Sequence, residues 1–298
     1  MCIRDSTVEE QWSWLTSEEN TTQNMMNHAT QGTYPPGSTF KLITLLEYIR
    51  ENPDTWQDFH YTCTGTYTNG DYVVNCHDGV AHGELDIYGI LGMSCNGAFD
   101  TIAQTLNSTK WQKLAEDFGY NQSDRSQVDF PYKKSHFDIA SDDSVWSRMQ
   151  LAIGQGTTTV TPLLNLMIYA AIANDGVMMT PYLVDHYLDA DGNVVEQTKP
   201  KALRSVCTKA EAELMDEFLT YVITNGTAAA GGSQYARVSG KTGSAQYDST
   251  KNYHAWFCGY GTNDVSEIAV CVMIEKGGAG GIVAAPVAGQ IFDYYFSR

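Results

Sequence analysis

Three short patterns place groups that could work together in acyl transfer. Ser38-Thr39-Phe40-Lys41 follows Tyr34-Pro35-Pro36-Gly37, so the prolines end one segment and a helix starts at about Gly37 or Ser38. A serine and a lysine three apart on a helix share a face, which brings the ammonium within reach of the hydroxyl. A serine hydroxyl is a poor nucleophile until a neighbouring base takes its proton. Lysine is that base only where burial or nearby positive charge lowers its pKa. In the first helical turn, Ser38 would also meet the positive end of the helix dipole, which favours a developing oxyanion. Ser94-Cys95-Asn96 offers a second hydroxyl beside an amide, able to relay a proton and to fix Lys41 and a substrate carbonyl. In Lys241-Thr242-Gly243-Ser244, Gly243 interrupts a β-rich run where a ligand backbone could come close. Lys241, Thr242 and Ser244 could there hold a carboxylate, and the Ser244 N–H could donate to an oxyanion.

Each pattern has a structural explanation when taken alone. Ser38 and Lys41 could be a capping serine with a solvated lysine, and on the order of one Ser-x-x-Lys arises by chance in a chain this long. Ser94 could be an ordinary helix cap beside a buried cysteine. Gly243 could mark a strand edge next to a surface lysine.

Helical spacing of apolar residues covers Ser38–Arg50, Leu85–Met93, Asn96–Leu106, Ser108–Phe118, Pro162–Asn174, Thr208–Ile223 and about Ala285–Phe296. Thr208 with Glu211 reads as a capping box. Strand signals crowd the last third, over Arg237–Tyr247, His254–Gly261 and Ile268–Glu275. A smaller hairpin spans Tyr182–Gln197 and turns at Ala190-Asp191-Gly192. Consecutive strands without βαβ alternation predict antiparallel pairing in an α+β fold. The first pattern then lies at a helix start, the second between two helices, and the third in the first C-terminal strand.

The chain has 298 residues, of which 43% are hydrophobic and 11% aromatic, enough for a sizeable core. Its 18 basic and 35 acidic residues give a net charge of −17, which disfavours nucleic acid and anionic membrane surfaces as partners. No run approaches the roughly 20 apolar residues of a membrane span. The opening Met1-Cys2-Ile3-Arg4-Asp5-Ser6 lacks a signal-peptide layout and reads more like a translated adapter, so the chain is taken as a fragment. The seven cysteines include no Cys-x-x-Cys pair, which argues against a structural zinc site. Cys63 and Cys76 bracket a hairpin with Asn69-Gly70-Asp71 at its tip. They are read either as a disulfide or as two small semi-buried side chains.

The three patterns in this order form the signature shared by penicillin-binding proteins and class A β-lactamases. The likeness extends well beyond them. Asn27-His28-Ala29-Thr30-Gln31-Gly32 running into Tyr34-Pro35-Pro36-Gly37-Ser38-Thr39-Phe40-Lys41 resembles the nucleophile segment of class B penicillin-binding proteins. Gly154-Gln155-Gly156, Val160-Thr161-Pro162 and Ala171-Ile172-Ala173-Asn174-Asp175-Gly176 are similar to further segments of that family. So are Lys241-Thr242-Gly243-Ser244-Ala245-Gln246 and His254-Ala255-Trp256-Phe257. The second motif carries Cys95 where class A β-lactamases have Asp.

The resemblance implies a β-lactamase/transpeptidase-like fold over 27–298, an antiparallel sheet flanked by helices. A mainly helical subdomain is expected at about 53–160, with 1–26 a remnant of an upstream region. Only 26 residues precede Asn27, so the opening strands are expected to be missing, leaving 268–274 as a sheet edge in a fragment prone to aggregate. A membrane anchor of the parent protein, on the outer face of the bacterial membrane, is expected to be missing too. The resemblance further implies a D,D-transpeptidase that needs no cofactor or metal. Its catalytic residues would be Ser38, Lys41, Ser94, Asn96 and Lys241, and its substrate-binding residues Thr242, Gly243 and Ser244. Its partners would be peptidoglycan stem peptides ending in D-Ala-D-Ala, β-lactams and the cell-wall synthesis machinery. A D,D-carboxypeptidase and a β-lactam sensor remain alternatives. A class A β-lactamase is disfavoured because no Glu-x-x-x-Asn lies between Ser94 and Lys241, and the nearest candidate, Glu116 with Asn121, has the wrong spacing.

Overall fold

The computed structural model describes residues 25–298, apart from 77–78, 123–127, 129 and 251, together with 12 and 15–17. Most of 1–26, expected to be a remnant of an upstream region, lies outside them. Tyr34 bridges to Val160, and after Pro35-Pro36 the chain enters a 3₁₀ turn, Gly37–Phe40, continuous with helix α1, Lys41–Glu51. Ser38 therefore sits on the tighter 3₁₀ turn rather than on the α-helix expected there. In that geometry residues three apart eclipse, so Ser38 and Lys41 still share a face. Helix α1 is buried nearly all round, from Lys41 through Glu47. The turn is fixed by backbone contact: the Gly37 N–H donates to the Gly154 carbonyl at 2.9 Å. Gly154 itself has φ +68°, and a Cβ there would lie 2.2 Å from the Gly37 oxygen, so only glycine fits.

The next hundred residues hold short strands and helices. Strand β1, His60–Cys63, pairs with β4, Gly83–Asp86, and between them β2, Thr66–Asn69, and β3, Tyr72–Asn75, form the expected hairpin. Helices α2, Ile87–Gly92, α3, Asn96–Ala103, α4, Ser108–Asp117, and α5, Val145–Ala152, follow. Helix α2 starts two residues later than its periodicity predicts. Leu85 is taken by the ladder to Tyr61, and Asp86 caps the helix by accepting from the Gly89 N–H at 2.7 Å.

Helix α6, Pro162–Ala173, leads to β5, Val177–Met179, which pairs with β8, Ala202–Ser205. The hairpin of β6, His186–Leu188, and β7, Val194–Gln197, projects from that pair with every residue exposed. Helix α7, Lys209–Asn225, carries the capping box of Thr208 and Glu211 as read from sequence. Among the described residues the main sheet has three antiparallel strands in the order β11-β10-β9: β9, Arg237–Gln246, β10, Tyr253–Thr262, and β11, Glu267–Ile274. Helix α8, Gly280–Phe296, starts five residues earlier than expected and runs through Pro286. Its glycine-rich start, which reads as a helix breaker, is a packing device. A Cβ at Gly280 would meet the Gly243 oxygen at 2.3 Å and the Trp256 oxygen at 2.5 Å.

Alternation along β9 and β10 divides the sheet into two faces. Phe257 turns toward α8, where its ring centroid is 6.2 Å from that of Phe292. Trp256 turns the other way, and its indole N–H donates to the Pro35 carbonyl at 3.0 Å. The turn that bears Ser38 thus rests on one face of the sheet and helix α8 on the other.

Cys63 and Cys76 do meet, but as free thiols with sulfurs 3.6 Å apart. They are joined by His82 and Cys95, all four donor atoms lying within 4.8 Å of one another. The lack of a Cys-x-x-Cys pair therefore does not by itself decide against a metal site. The donors come from the end of β1, the residue after β3, the residue before β4 and the turn before α3, so the chain path rather than a local Cys-x-x-Cys assembles them.

Candidate active site

Helix α1 and strand β9 each bury a lysine completely, and both lysines converge on one turn. Lys41 Nζ donates to the Ser94 carbonyl at 2.8 Å, to Asn96 Oδ1 at 2.6 Å and to Ser94 Oγ at 3.3 Å. Lys241 Nζ donates to Ser94 Oγ at 2.9 Å and to the Thr242 carbonyl at 3.0 Å. Ser94 is no helix cap: it holds φ +53°, and the cap position of α3 belongs to Cys95, which makes no side-chain cap bond. That left-handed conformation is costly for serine. It aims both the hydroxyl and the carbonyl at the lysines.

Burial, the dominant cause, draws the Lys41 ammonium down to about 8, against attraction from Cys95, Cys76 and Asp100. Burial and the charge of Lys41 hold Lys241 well below the usual lysine range. Two buried cations around one hydroxyl make loss of a proton favourable, which suits a base.

The half-buried Ser38 lies on the 3₁₀ turn that packs against β9. A Cβ at Gly243 would lie 2.9 Å from the Pro36 oxygen and 3.2 Å from Thr39 Cγ2, so this glycine lets the turn approach the strand. By strand alternation Gly243 and Lys241 share the face that meets the turn. Thr242 and Ser244 take the other face. Thr242 Oγ1 lies 3.0 Å from Thr227 Oγ1, and Ser244 Oγ accepts from the Gly280 N–H at 3.0 Å. The structure therefore joins Lys41, Ser94, Asn96 and Lys241 by direct hydrogen bonds, sets Ser38 on the adjoining turn, and leaves Thr242 and Ser244 bound across the strand. Among the described residues β9 is an edge strand of the three-stranded sheet, so alternate amides along it face away from β10.

Several contributors were not singled out from sequence. Asn96 Nδ2 donates to the Asn75 carbonyl at 2.8 Å, which orients the amide that holds Lys41. Asp100, one turn along α3 from Asn96, is wholly buried and neither carboxyl oxygen has a partner. Burial pushes its pKa well up, despite the charge of Lys41. Its place four residues after Asn96 was the available signal. Thr227 and Gly280 carried none. Glu116 and Asn121 are used structurally, accepting from Gln112 Nε2 and donating to the Phe137 carbonyl.

Residues 9–293 match the family model of the penicillin-binding protein transpeptidase domain. This chain belongs to that family. Among its relatives, the Peptidoglycan D,D-transpeptidase PbpA of Mycolicibacterium smegmatis is 26% identical over 287 residues, 92% of this chain and 57% of that protein. Stage V sporulation protein D of Bacillus subtilis is 28% identical over 87% of this chain and 41% of its own length. The chain thus spans roughly half the length of the curated relatives it matches. The D,D-transpeptidase domain of a peptidoglycan glycosyltransferase from Eggerthella lenta superposes with a TM-score of 0.82 at 27% identity, covering 96% of this chain and 70% of that one. Penicillin-binding protein A from M. tuberculosis, solved as an imipenem acyl-enzyme complex, gives a TM-score of 0.84 at 24% identity over 98% of this chain and 66% of that one. The family's β-lactamase/transpeptidase fold is the fold seen here.

Proposed function

We propose that the chain is the catalytic domain of a serine D,D-transpeptidase that cross-links peptidoglycan stem peptides and is acylated by β-lactams. The observation that carries this reading is the convergence of buried Lys41 and Lys241 on Ser94 Oγ, beside the turn that bears Ser38. Lys41 accepts the Ser38 proton as Ser38 Oγ attacks the penultimate D-alanine carbonyl. The Ser38 and Ser244 backbone N–H groups hold the resulting oxyanion. Ser94, held between the two lysines, passes a proton to the departing D-alanine amine. The Thr242 and Ser244 hydroxyls exchange their present partners, Thr227 and the Gly280 N–H, for the substrate carboxylate. An amine from a second stem peptide then attacks the ester, forming the cross-link and returning Ser38 to its hydroxyl. The parent protein acts on the outer face of the bacterial membrane with the cell-wall synthesis machinery. No helix among the described residues is long and apolar enough to cross a membrane.

Incubation with stem peptides and an amine acceptor, followed by product analysis, tests the reading. Cross-linked dimer is expected. Released D-alanine with only trimmed monomer would make the protein a carboxypeptidase, and a stable penicillin adduct without turnover of peptide would make it a sensor.

A further inference from the structure

The sulfur and nitrogen atoms of Cys63, Cys76, His82 and Cys95 form a compact polyhedron close to the second motif. The Cys63 and Cys76 sulfurs are 3.6 Å apart, those of Cys76 and Cys95 3.8 Å, and Cys63 Sγ lies 3.4 Å from His82 Nδ1. Tetrahedral zinc, with bonds of about 2.3 Å to sulfur and 2.0–2.1 Å to nitrogen, requires S···S edges of about 3.8 Å and S···N edges of about 3.5 Å. All three measured edges match those values to within a few tenths of an ångström. Three thiols and an imidazole also make the donor set that selects zinc over harder ions. The three cysteines are buried, at 2%, 3% and 0% exposure, and the Gly65 N–H donates to Cys63 Sγ at 3.4 Å, as suits a thiolate.

We propose that this chain binds one zinc ion through Cys63, Cys76, Cys95 and His82, and that the ion holds the Ser94–Asn96 turn in its working conformation. Cys95 is the middle residue of that turn. Asn96 is anchored to the Asn75 carbonyl, immediately before the ligand Cys76. An ion bound here therefore grips the turn at Cys95 and steadies the backbone on which Asn96 rests. It also ties together strands β1 to β4, whose four-residue strands bury little apolar surface. Binding energy at such a site is folding energy for the elements it joins. The coupling to the turn rests on the function proposed above; the zinc site itself does not.

Metal analysis of the purified chain, prepared without chelator, tests the site. One zinc per chain is expected, lost in Cys63→Ser and in His82→Ala but kept in Cys258→Ser, Cys207→Ser and Ser38→Ala. Because the ligand variants could misfold, the wild-type chain is also stripped and titrated with cobalt. A thiolate-to-cobalt charge-transfer band saturating at one equivalent is expected, with a rise in thermal midpoint on adding zinc. Absence of bound metal, of that band and of any shift in midpoint would overturn the site. Stripping should slow acylation by a fluorescent penicillin about 10-fold, since small misplacements of reacting groups cost that much or more, and zinc should restore it. Equal acylation rates with and without zinc would overturn the coupling while leaving the site standing. Metal content is read without penicillin, so its failure is distinct from a failure of the transpeptidase reading.

Discussion

The two halves of the site are held by regions built in opposite ways. Lys241 stands on β9, a ten-residue strand buried over most of its length and packed between α8 and the Ser38 turn. Ser94 stands on a strained turn behind strands of four residues whose side chains are mostly exposed. In the sheet, position follows from packing: Phe257 meets Phe292 on one face, Trp256 meets Pro35 on the other, and glycines at 243 and 280 admit the backbones that touch there. Around Ser94, position follows from polar contacts, two lysines on one side and the cysteine–histidine cluster on the other. The sheet thus resists change by its bulk, and the turn by a few specific bonds.

The largest expected effect comes from breaking the sheet. Trp256 is fully buried and its indole supports Pro35 just ahead of the turn that bears Ser38. Trp256→Ala should cost about 3–5 kcal/mol in denaturant unfolding, and acylation should fall with the folded fraction. Ser94→Ala should do the reverse. Acylation should drop about 10²-fold while stability falls by only about 1 kcal/mol, because the side chain removed is small and both lysines keep other acceptors, the Ser94 and Thr242 carbonyls and Asn96 Oδ1. A large loss of stability in Ser94→Ala would mean that the turn belongs to the core.

The pH profile sharpens the same contrast. A lysine whose pKa is lowered to about 8 loses its proton at lower pH than a free one, so the fraction of base rises with pH through that value. Acylation should therefore climb up to about pH 8 and level off above it. The linkage has a definite sign: between about 8 and the ordinary lysine value the unfolded chain binds more protons, so stability should rise with pH there. A flat acylation profile across pH 8 would remove Lys41 from the role of base.

Much of this was legible in the sequence. The order of helices and strands, the hairpin around Gly70 and the capping box at Thr208 follow from local periodicity and turn chemistry, and they stand in the structure. The lysines and Ser94 were legible because their motif spacing is local and specific. Three things were not. The 3₁₀ start of α1 depends on the Gly37–Gly154 contact across the chain. The N-terminal extension of α8 depends on two strand carbonyls that only glycine can approach. The cysteine–histidine cluster joins residues 13 and 19 positions apart, beyond any local ligand pattern.

The smallest expected effect lies farthest from either half. Every residue of the β6–β7 hairpin strands is exposed, so Val195→Thr should change stability by less than about 0.5 kcal/mol and leave acylation untouched. A larger effect would give that hairpin a place in the site.

The central claim is that Ser38 is the nucleophile served by the two converging lysines. Its most direct test is to label the protein with a penicillin, digest it and locate the adduct by peptide mass spectrometry. The account predicts a single penicilloyl ester on Ser38, with no labelling in Ser38→Ala. An adduct on Ser94 or elsewhere, or labelling that persists in Ser38→Ala, would contradict it.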